Sequence, residues 1–76
     1  MTEYLIVTYH TTSEAMATEQ ACRRQDIPGR LIPVPRTLSA GCGIAWRCRP
    51  EDEEVLHEIL RTQDIEWEEM TKMMLP

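Results

Sequence analysis

Tyr4-Leu5-Ile6-Val7-Thr8-Tyr9 is an unbroken run of aliphatic, β-branched and aromatic residues, a composition typical of a β-strand. Because apolar and polar residues do not alternate along it, we expect a central strand that is covered on both faces. Thr11 and Glu14, three positions apart, have the spacing of a capped helix start. A helix is therefore predicted over about residues 13–25, ended by Asp26-Ile27-Pro28-Gly29.

Four further elements are predicted along the rest of the chain. They are a strand over residues 30–34, a strand over about residues 42–48, a helix that begins at Pro50, and a strand over about residues 65–71. The first of these contains a proline, which suits the edge of a sheet because proline has no N–H to donate. The helix has one apolar face, formed by Val55, Leu56, Ile59 and Leu60.

The order β-α-β-β-α-β predicts an α+β fold of the ferredoxin-like type, in which a four-stranded antiparallel sheet carries two helices on one face. With 76 residues, the chain is expected to form one domain over residues 1–76. The other face of the sheet is left open in this fold. We expect Tyr4, Ile6 and Trp46 to supply apolar surface for a homodimer through that face.

Charge and composition limit the classes of partner. The net charge is −5, yet residues 23–49 hold six arginines and one acid, so the central segment is suited to a small anion while the whole protein repels nucleic acid. No leader or membrane-spanning stretch is evident, which predicts a cytoplasmic protein. Three cysteines are an odd number without a secretory context, so a disulfide framework is not expected.

Cys42 is the principal candidate for chemistry because it lies between Gly41 and Gly43, shortly after Ser39. Glycines on both sides let the backbone turn sharply and leave the sulfur unshielded, which indicates a working thiol. The alternative is a small residue that fills a tight turn.

The predicted topology brings other groups towards this sulfur. The end of the first strand, with His10, would lie beside the start of the third, and the first helix begins at the same edge. With Arg36 from the loop, these groups would favour the thiolate, which is the nucleophilic form. For His10 the alternative is a solvated residue at the end of a strand.

Other polar groups are assigned structural roles. Cys22 is expected in the core, and Cys48 lies too far along the strand to bridge Cys42. Glu19 falls on the inward stripe of the first helix, where it needs a partner such as Arg36 or Arg30 unless it reaches solvent. No metal or cofactor site is predicted, because the cysteines and histidines lack ligand spacing and no phosphate-binding glycine loop is present.

The run from Arg30 to Arg36, followed by Ser39 and Gly41-Cys42-Gly43, resembles the selenium/sulfur carrier protein-like family of small proteins. The resemblance covers about residues 4–68, and its specific part is the Pro-x-Pro-Arg…Ser-x-x-Cys-Gly segment. It implies a non-enzymatic carrier that holds sulfur or selenium on Cys42 as a persulfide or selenopersulfide. Its partners would be donor and acceptor proteins, with Arg36 orienting an anionic donor or acceptor.

Two other functions remain open at this point. One is a small binding or sensing module that dimerises and binds an anion or a partner protein near Arg36. In that case Cys42 would only shape the loop and would have no chemical role. The other is a thiol-redox protein that forms mixed disulfides through Cys42. The lack of a nearby resolving cysteine counts against the second, unless two Cys42 residues meet across a dimer.

Overall fold

The computed structural model describes residues 1–76 and contains four strands, two α-helices and one short 3₁₀ turn. Their bounds are β1 Thr2–Thr8, α1 Thr12–Arg24, β2 Gly29–Pro33, β3 Ile44–Cys48, the 3₁₀ turn Pro50–Asp52, α2 Glu53–Thr62 and β4 Glu69–Leu75. The sheet has the strand order β2-β3-β1-β4, and every neighbouring pair is antiparallel. The predicted β-α-β-β-α-β order and ferredoxin-like architecture are confirmed.

β1 is an inner strand with both faces buried, as its sequence predicted. Leu5 and Val7 belong to the core on the helix side of the sheet, together with Tyr9 just past the strand. Ile6 and Thr8 point to the opposite face, yet both are fully buried. Alternation is absent from the sequence because neither face of this strand is exposed to water.

Trp46 lies in the helix-side core, where it is 2% exposed. Its expected place on the open face was wrong, because β3 is aligned so that Trp46 and Val7 are neighbours on the helix side. Of the three residues expected to form an apolar dimer surface, Tyr4 and Ile6 remain on the open face, and Ile6 is already buried within the monomer. That face therefore exposes less apolar surface than the sequence suggested.

The first helix begins at the cap that the sequence predicted. Thr11 has extended backbone angles, and its Oγ1 accepts a hydrogen bond from the Glu14 N–H at 3.4 Å. The same hydroxyl donates to Glu14 Oε1 at 3.0 Å, so the glutamate engages the capping side chain rather than its backbone. This pair fixes the position at which the chain leaves the sheet and enters α1.

Both helices end in the same hydrogen-bonded motif. Beyond α1, Asp26 adopts a positive φ of 57° and the N–H of Ile27 donates to Cys22 O at 2.9 Å. Beyond α2, Asp64 has a φ of 56° and the N–H of Ile65 donates to Leu60 O at 2.9 Å. This is the Schellman arrangement, in which a left-handed residue reverses the chain and an apolar residue follows it.

The predicted last strand was displaced, because β4 covers Glu69–Leu75 rather than residues 65–71. Ile65 closes α2 and packs against the core instead of starting a strand. Trp67 is partly exposed and meets His57 edge to face, with ring centroids 5.7 Å apart. The alternation of residues 65–68 thus arises in the segment that ends α2 and leads to β4, and not in a strand.

The start of β3 also differs from the prediction, since the strand begins at Ile44 rather than Cys42. Gly43 has a φ of +77°, a left-handed conformation that interrupts the extended backbone before the strand. Cys42 therefore belongs to the loop, although the Val34 N–H still donates to Gly43 O at 3.1 Å beyond the regular β2–β3 pairing.

Candidate functional site

The Cys42 loop, residues 34–43, connects β2 to β3 at one end of the sheet. A turn closes its first half, in which the Leu38 N–H donates to Pro35 O at 3.0 Å. Its two glycines serve different purposes. Gly43 needs its positive φ, although a Cβ there would meet no atom within 4 Å, whereas a Cβ on Gly41 would lie 3.0 Å from His10 O. The loop is thus held against the end of β1 by a close backbone approach.

The Cys42 side chain is half-buried at the edge of the helix-side core. Its Sγ donates to Ile44 O at 3.3 Å and lies 3.5 Å from the Ile44 N–H, which donates to it. The sulfur is therefore less open than flanking glycines alone suggested. A thiolate at this place would keep the donor from Ile44 N and would lose the contact with Ile44 O.

His10 lies at the predicted edge, but its imidazole has another partner. Its backbone oxygen touches the Cys42 loop at Gly41, as the strand order implied. The ring is exposed, and Nδ1 lies 3.6 Å from Glu68 Oε1. Glu68 is placed there by its N–H, which donates to Thr8 O at 2.7 Å. The imidazole is thus paired with a carboxylate of the segment that precedes β4.

Arg36 and Ser39 lie on the exposed side of the Cys42 loop. Neither takes part in the side-chain hydrogen bonds of the structure, and none of its ion pairs includes Arg36. These two residues share the loop with Cys42 without contacting its sulfur through a hydrogen bond. The Arg36 guanidinium is consequently free to meet an anionic group that approaches the loop.

Glu19 pairs with a different arginine from those expected. Its Oε2 lies 3.5 Å from Arg23 Nη2, one turn along the same helix, so pairing with Arg36 or Arg30 was wrong. The carboxylate is 30% exposed, and this intrahelical pair lies at the surface. Glu19 borders a cavity of about 130 Å³ whose other lining residues are Arg23, Ile27, Pro28, Gly29 and Trp46. Cys42 is not part of that cavity.

The three cysteines are all free, but they differ in accessibility. Cys22 and Cys48 are buried, as expected for Cys22 from its place in α1. Burial raises the pKa of the Cys22 thiol from 9.0 to about 11 and that of Cys48 to about 12. Both therefore remain neutral thiols near pH 7. Cys42 is the one cysteine of the three that is partly exposed to solvent.

Tyr9 was not singled out by the sequence, although its hydroxyl lies among these thiols. Burial raises its pKa, and the side chain is close enough to Cys22, Cys48 and Cys42 to interact with each if it ionised. The hydroxyl is near Thr18, whose own hydroxyl donates to Glu14 O at 3.0 Å, but it makes no hydrogen bond of good geometry. Tyr9 follows Leu5 and Val7 at intervals of two residues, and this strand alternation was the available signal that Tyr9 faces inward.

An apolar recess of about 280 Å³ lies next to the Cys42 loop. It is lined by Leu31, Ile32, Pro33, Gly43 and Ile44. The recess is open to the surface and adjoins the residue that follows Cys42. A partner protein that reaches the thiol would therefore meet apolar surface beside it.

The side chains that could bind a metal and the lengths of the helices bear on two other kinds of site. No group of three or more histidine, cysteine, aspartate or glutamate side chains is arranged to hold a metal ion. Neither helix has the length and apolar character that a membrane crossing requires.

Comparison with known families finds one match to this chain. A family model described as “Putative Se/S carrier protein-like” matches residues 4–72, which include both helices, the Cys42 loop and most of the sheet. No curated protein matches the chain. The chain therefore belongs to the family with that description.

Proposed function

We propose that the protein carries a sulfur or selenium atom on Cys42 and passes it to a partner protein. The observation that carries the proposal is the position of Cys42, the accessible cysteine of the three, on a loop at the end of the sheet. Membership of the carrier-like family supports the same role. A carrier needs a thiol that two different partners can reach in turn, and buried Cys22 and Cys48 do not meet that requirement.

Loading is a thiol exchange that needs no added oxidant. The Cys42 thiolate attacks the terminal sulfur of a donor persulfide, and a bond forms between Cys42 Sγ and that sulfur. The donor's own S–S bond breaks, and its electron pair leaves on the donor thiolate. Delivery reverses the roles, since an acceptor nucleophile takes the terminal atom and Cys42 leaves as a thiolate. Selenium would occupy the terminal position in the same way.

Three features of the region around Cys42 would assist this exchange. The Ile44 N–H, 3.5 Å from Sγ, is a donor that favours negative charge on the sulfur. The exposed Arg36 guanidinium is available for an anionic donor or acceptor. The apolar recess along Leu31 and Ile44 would receive the partner's surface next to the thiol.

Persulfide loading tests the proposal directly. The protein is incubated with a low-molecular-weight persulfide, and mass spectrometry of its peptides locates the added sulfur. We expect the mass of one sulfur atom on the peptide that contains Cys42, and none after Cys42→Ser. Cys22→Ala serves as the control because it removes a thiol that is buried in the core. Loading that persists in Cys42→Ser, or that is equal on all three cysteines, would contradict the proposal.

A binding module is the second candidate, because Arg36 is exposed and has no acidic partner in the monomer. In that function the Cys42 loop would present Arg36 to an anion or to an acidic partner surface. Cys42→Ala would then leave binding intact, whereas Arg36→Ala would remove it. If the protein is a carrier, Cys42→Ala should instead remove its function.

A further inference from the structure

Two arginines lie on the open face of the sheet near the end of β3 that is farther from the Cys42 loop. Arg30 of β2 stands directly opposite Arg47 of β3, and Arg49 follows just beyond the end of β3. Like charges directly opposite each other on neighbouring strands are destabilising unless an anion lies between them. No ion pair in the structure involves Arg30 or Arg47, so this cross-strand pair lacks a counter-charge of its own.

The Arg47 guanidinium is held in place although it has no acceptor. Its Cζ lies 4.4 Å from the centroid of the Tyr4 ring, and the residue is half-buried. Stacking on an aromatic face restricts the guanidinium and leaves its N–H groups, which lie in its plane, free to donate. None of the side-chain hydrogen bonds uses them. The donors are therefore ordered before any ligand arrives.

Arg49 lines the cavity described below, but its charge is already paired. Its Nε donates to Asp52 Oδ2 at 2.9 Å and its Nη2 donates to Asp52 Oδ1 at 3.2 Å. This bidentate pair neutralises the charge of Arg49 and that of Asp52. The uncompensated positive charge of the patch is thus concentrated on Arg30 and Arg47.

A small cavity lies beside Arg47, and Arg30 stands on the neighbouring strand outside its lining. Its volume is about 130 Å³, and its lining residues are Tyr4, Pro28, Gly29, Arg47, Cys48 and Arg49. Gly29 packs closely against β3, because a Cβ at this position would lie 2.7 Å from Arg47 O. Sites for drug-sized ligands usually occupy about 300–1,000 Å³, so this cavity has room for one compact group.

We propose that this cavity binds a phosphate-type oxyanion, held by Arg47 from its place on the Tyr4 ring, with Arg30 adding positive charge from the neighbouring strand. The planar guanidinium of Arg47 matches two oxygens of such a group in a bidentate contact. A bound dianion also removes the repulsion between the two arginines. The site is separate from the proposed sulfur chemistry, because Cys42 and Arg47 lie towards opposite ends of β3. The oxyanion is either free inorganic phosphate or the phosphoryl group of a larger molecule, whose remainder would lie on the open sheet face.

The test is an NMR titration of the isotopically labelled full chain with inorganic phosphate at constant ionic strength. We expect saturable shifts of the amides around the cavity, at Gly29 and Cys48. Arg47→Ala should weaken binding by about tenfold or more, the loss expected for a charge-assisted bidentate contact. Arg24→Ala is the matched control, since it removes the same charge from an exposed helix position outside the cavity.

A parallel titration with phenyl phosphate distinguishes the two sources of the oxyanion. Tighter binding of the ester indicates a phosphoryl group on a larger molecule, and equal or weaker binding indicates free phosphate. Arg30→Gln provides a second variant in case Arg47→Ala fails to fold, and it should also weaken binding. Shifts that do not saturate, or equal weakening by Arg24→Ala, would overturn the proposal.

Discussion

The Tyr9 hydroxyl is one of three buried side-chain polar groups without a hydrogen-bond partner, with Thr8 Oγ1 and Trp46 Nε1. It is buried at the end of β1 without a hydrogen-bond partner. A buried donor without an acceptor costs about 1–3 kcal/mol, since it has lost its bond to water. The ring itself fills the core, where it packs with Leu5 and Val7.

Replacing Tyr9 with phenylalanine should therefore stabilise the protein. The substitution keeps the buried ring and removes the unpaired hydroxyl, so the free energy of unfolding is expected to rise by about 1 kcal/mol. Urea denaturation of Tyr9→Phe measures this change. Tyr4→Phe is the control, because Tyr4 is half-exposed on the other face of β1. A clear loss of stability in Tyr9→Phe would show that the hydroxyl has a partner in solution.

At individual residues, sequence reasoning succeeded where the signal was local. The core position of Cys22 follows from the helical stripe of α1, and the Thr11 cap follows from residue types three positions apart. The pairing of His10 with Glu68 was not predictable in that way, because it depends on where the chain returns after α2. The pairing of Glu19 with Arg23 was available in the sequence as an i, i+4 spacing.

At the level of elements, a short sequence repeat marks both helix ends. Gln25-Asp26-Ile27 follows α1 and Gln63-Asp64-Ile65 follows α2, and each places aspartate in the left-handed conformation. The isoleucine that follows packs against the core in both cases. Comparing the two tripeptides would have predicted that Ile65 ends a helix, as Ile27 does, and would have moved the start of β4 towards the C-terminus.

Glycine should improve both of these helix ends. A positive φ costs aspartate conformational energy that glycine does not pay, so Asp26→Gly and Asp64→Gly should each raise the free energy of unfolding by up to about 1 kcal/mol. Thermal melting of each variant and of the double variant measures the effect. Gln20→Gly is the contrasting substitution, because it lies within α1 and should destabilise by about 1 kcal/mol. Destabilisation by both aspartate substitutions would contradict this account.

At the scale of the whole molecule, buried thiols link stability to pH. The folded-state pKa values of Cys22 and Cys48 are raised to about 11 and about 12, above the ordinary value of 9.0. The fold holds both groups in the neutral form, so their contribution to stability is complete below pH 9.0. Above it, the unfolded chain loses the protons first, and the contribution falls as pH rises towards the folded-state values.

The melting temperature should accordingly decrease as pH rises from 9 to 11, measured in the presence of a reductant. Cys48→Ala should make this decrease shallower, because it removes the group with the larger rise in pKa. Cys42→Ala is the comparison, since Cys42 is half-buried rather than buried. A melting temperature that is constant across this interval would show that the two thiols do not control alkaline stability.

The pairing of β1 with β4 joins the two ends of the described chain. Thr2 stands opposite Leu75, and the seven residue pairs of this ladder bridge nearly the full sequence separation. Closing so long a loop carries the largest entropic cost of any contact in the sheet. The β2–β3 hairpin, whose strands lie close in sequence, closes a much shorter loop and carries a smaller entropic cost. The β1–β4 ladder thus holds the first and last described strands side by side, and fraying at either end of the described residues would begin in this ladder.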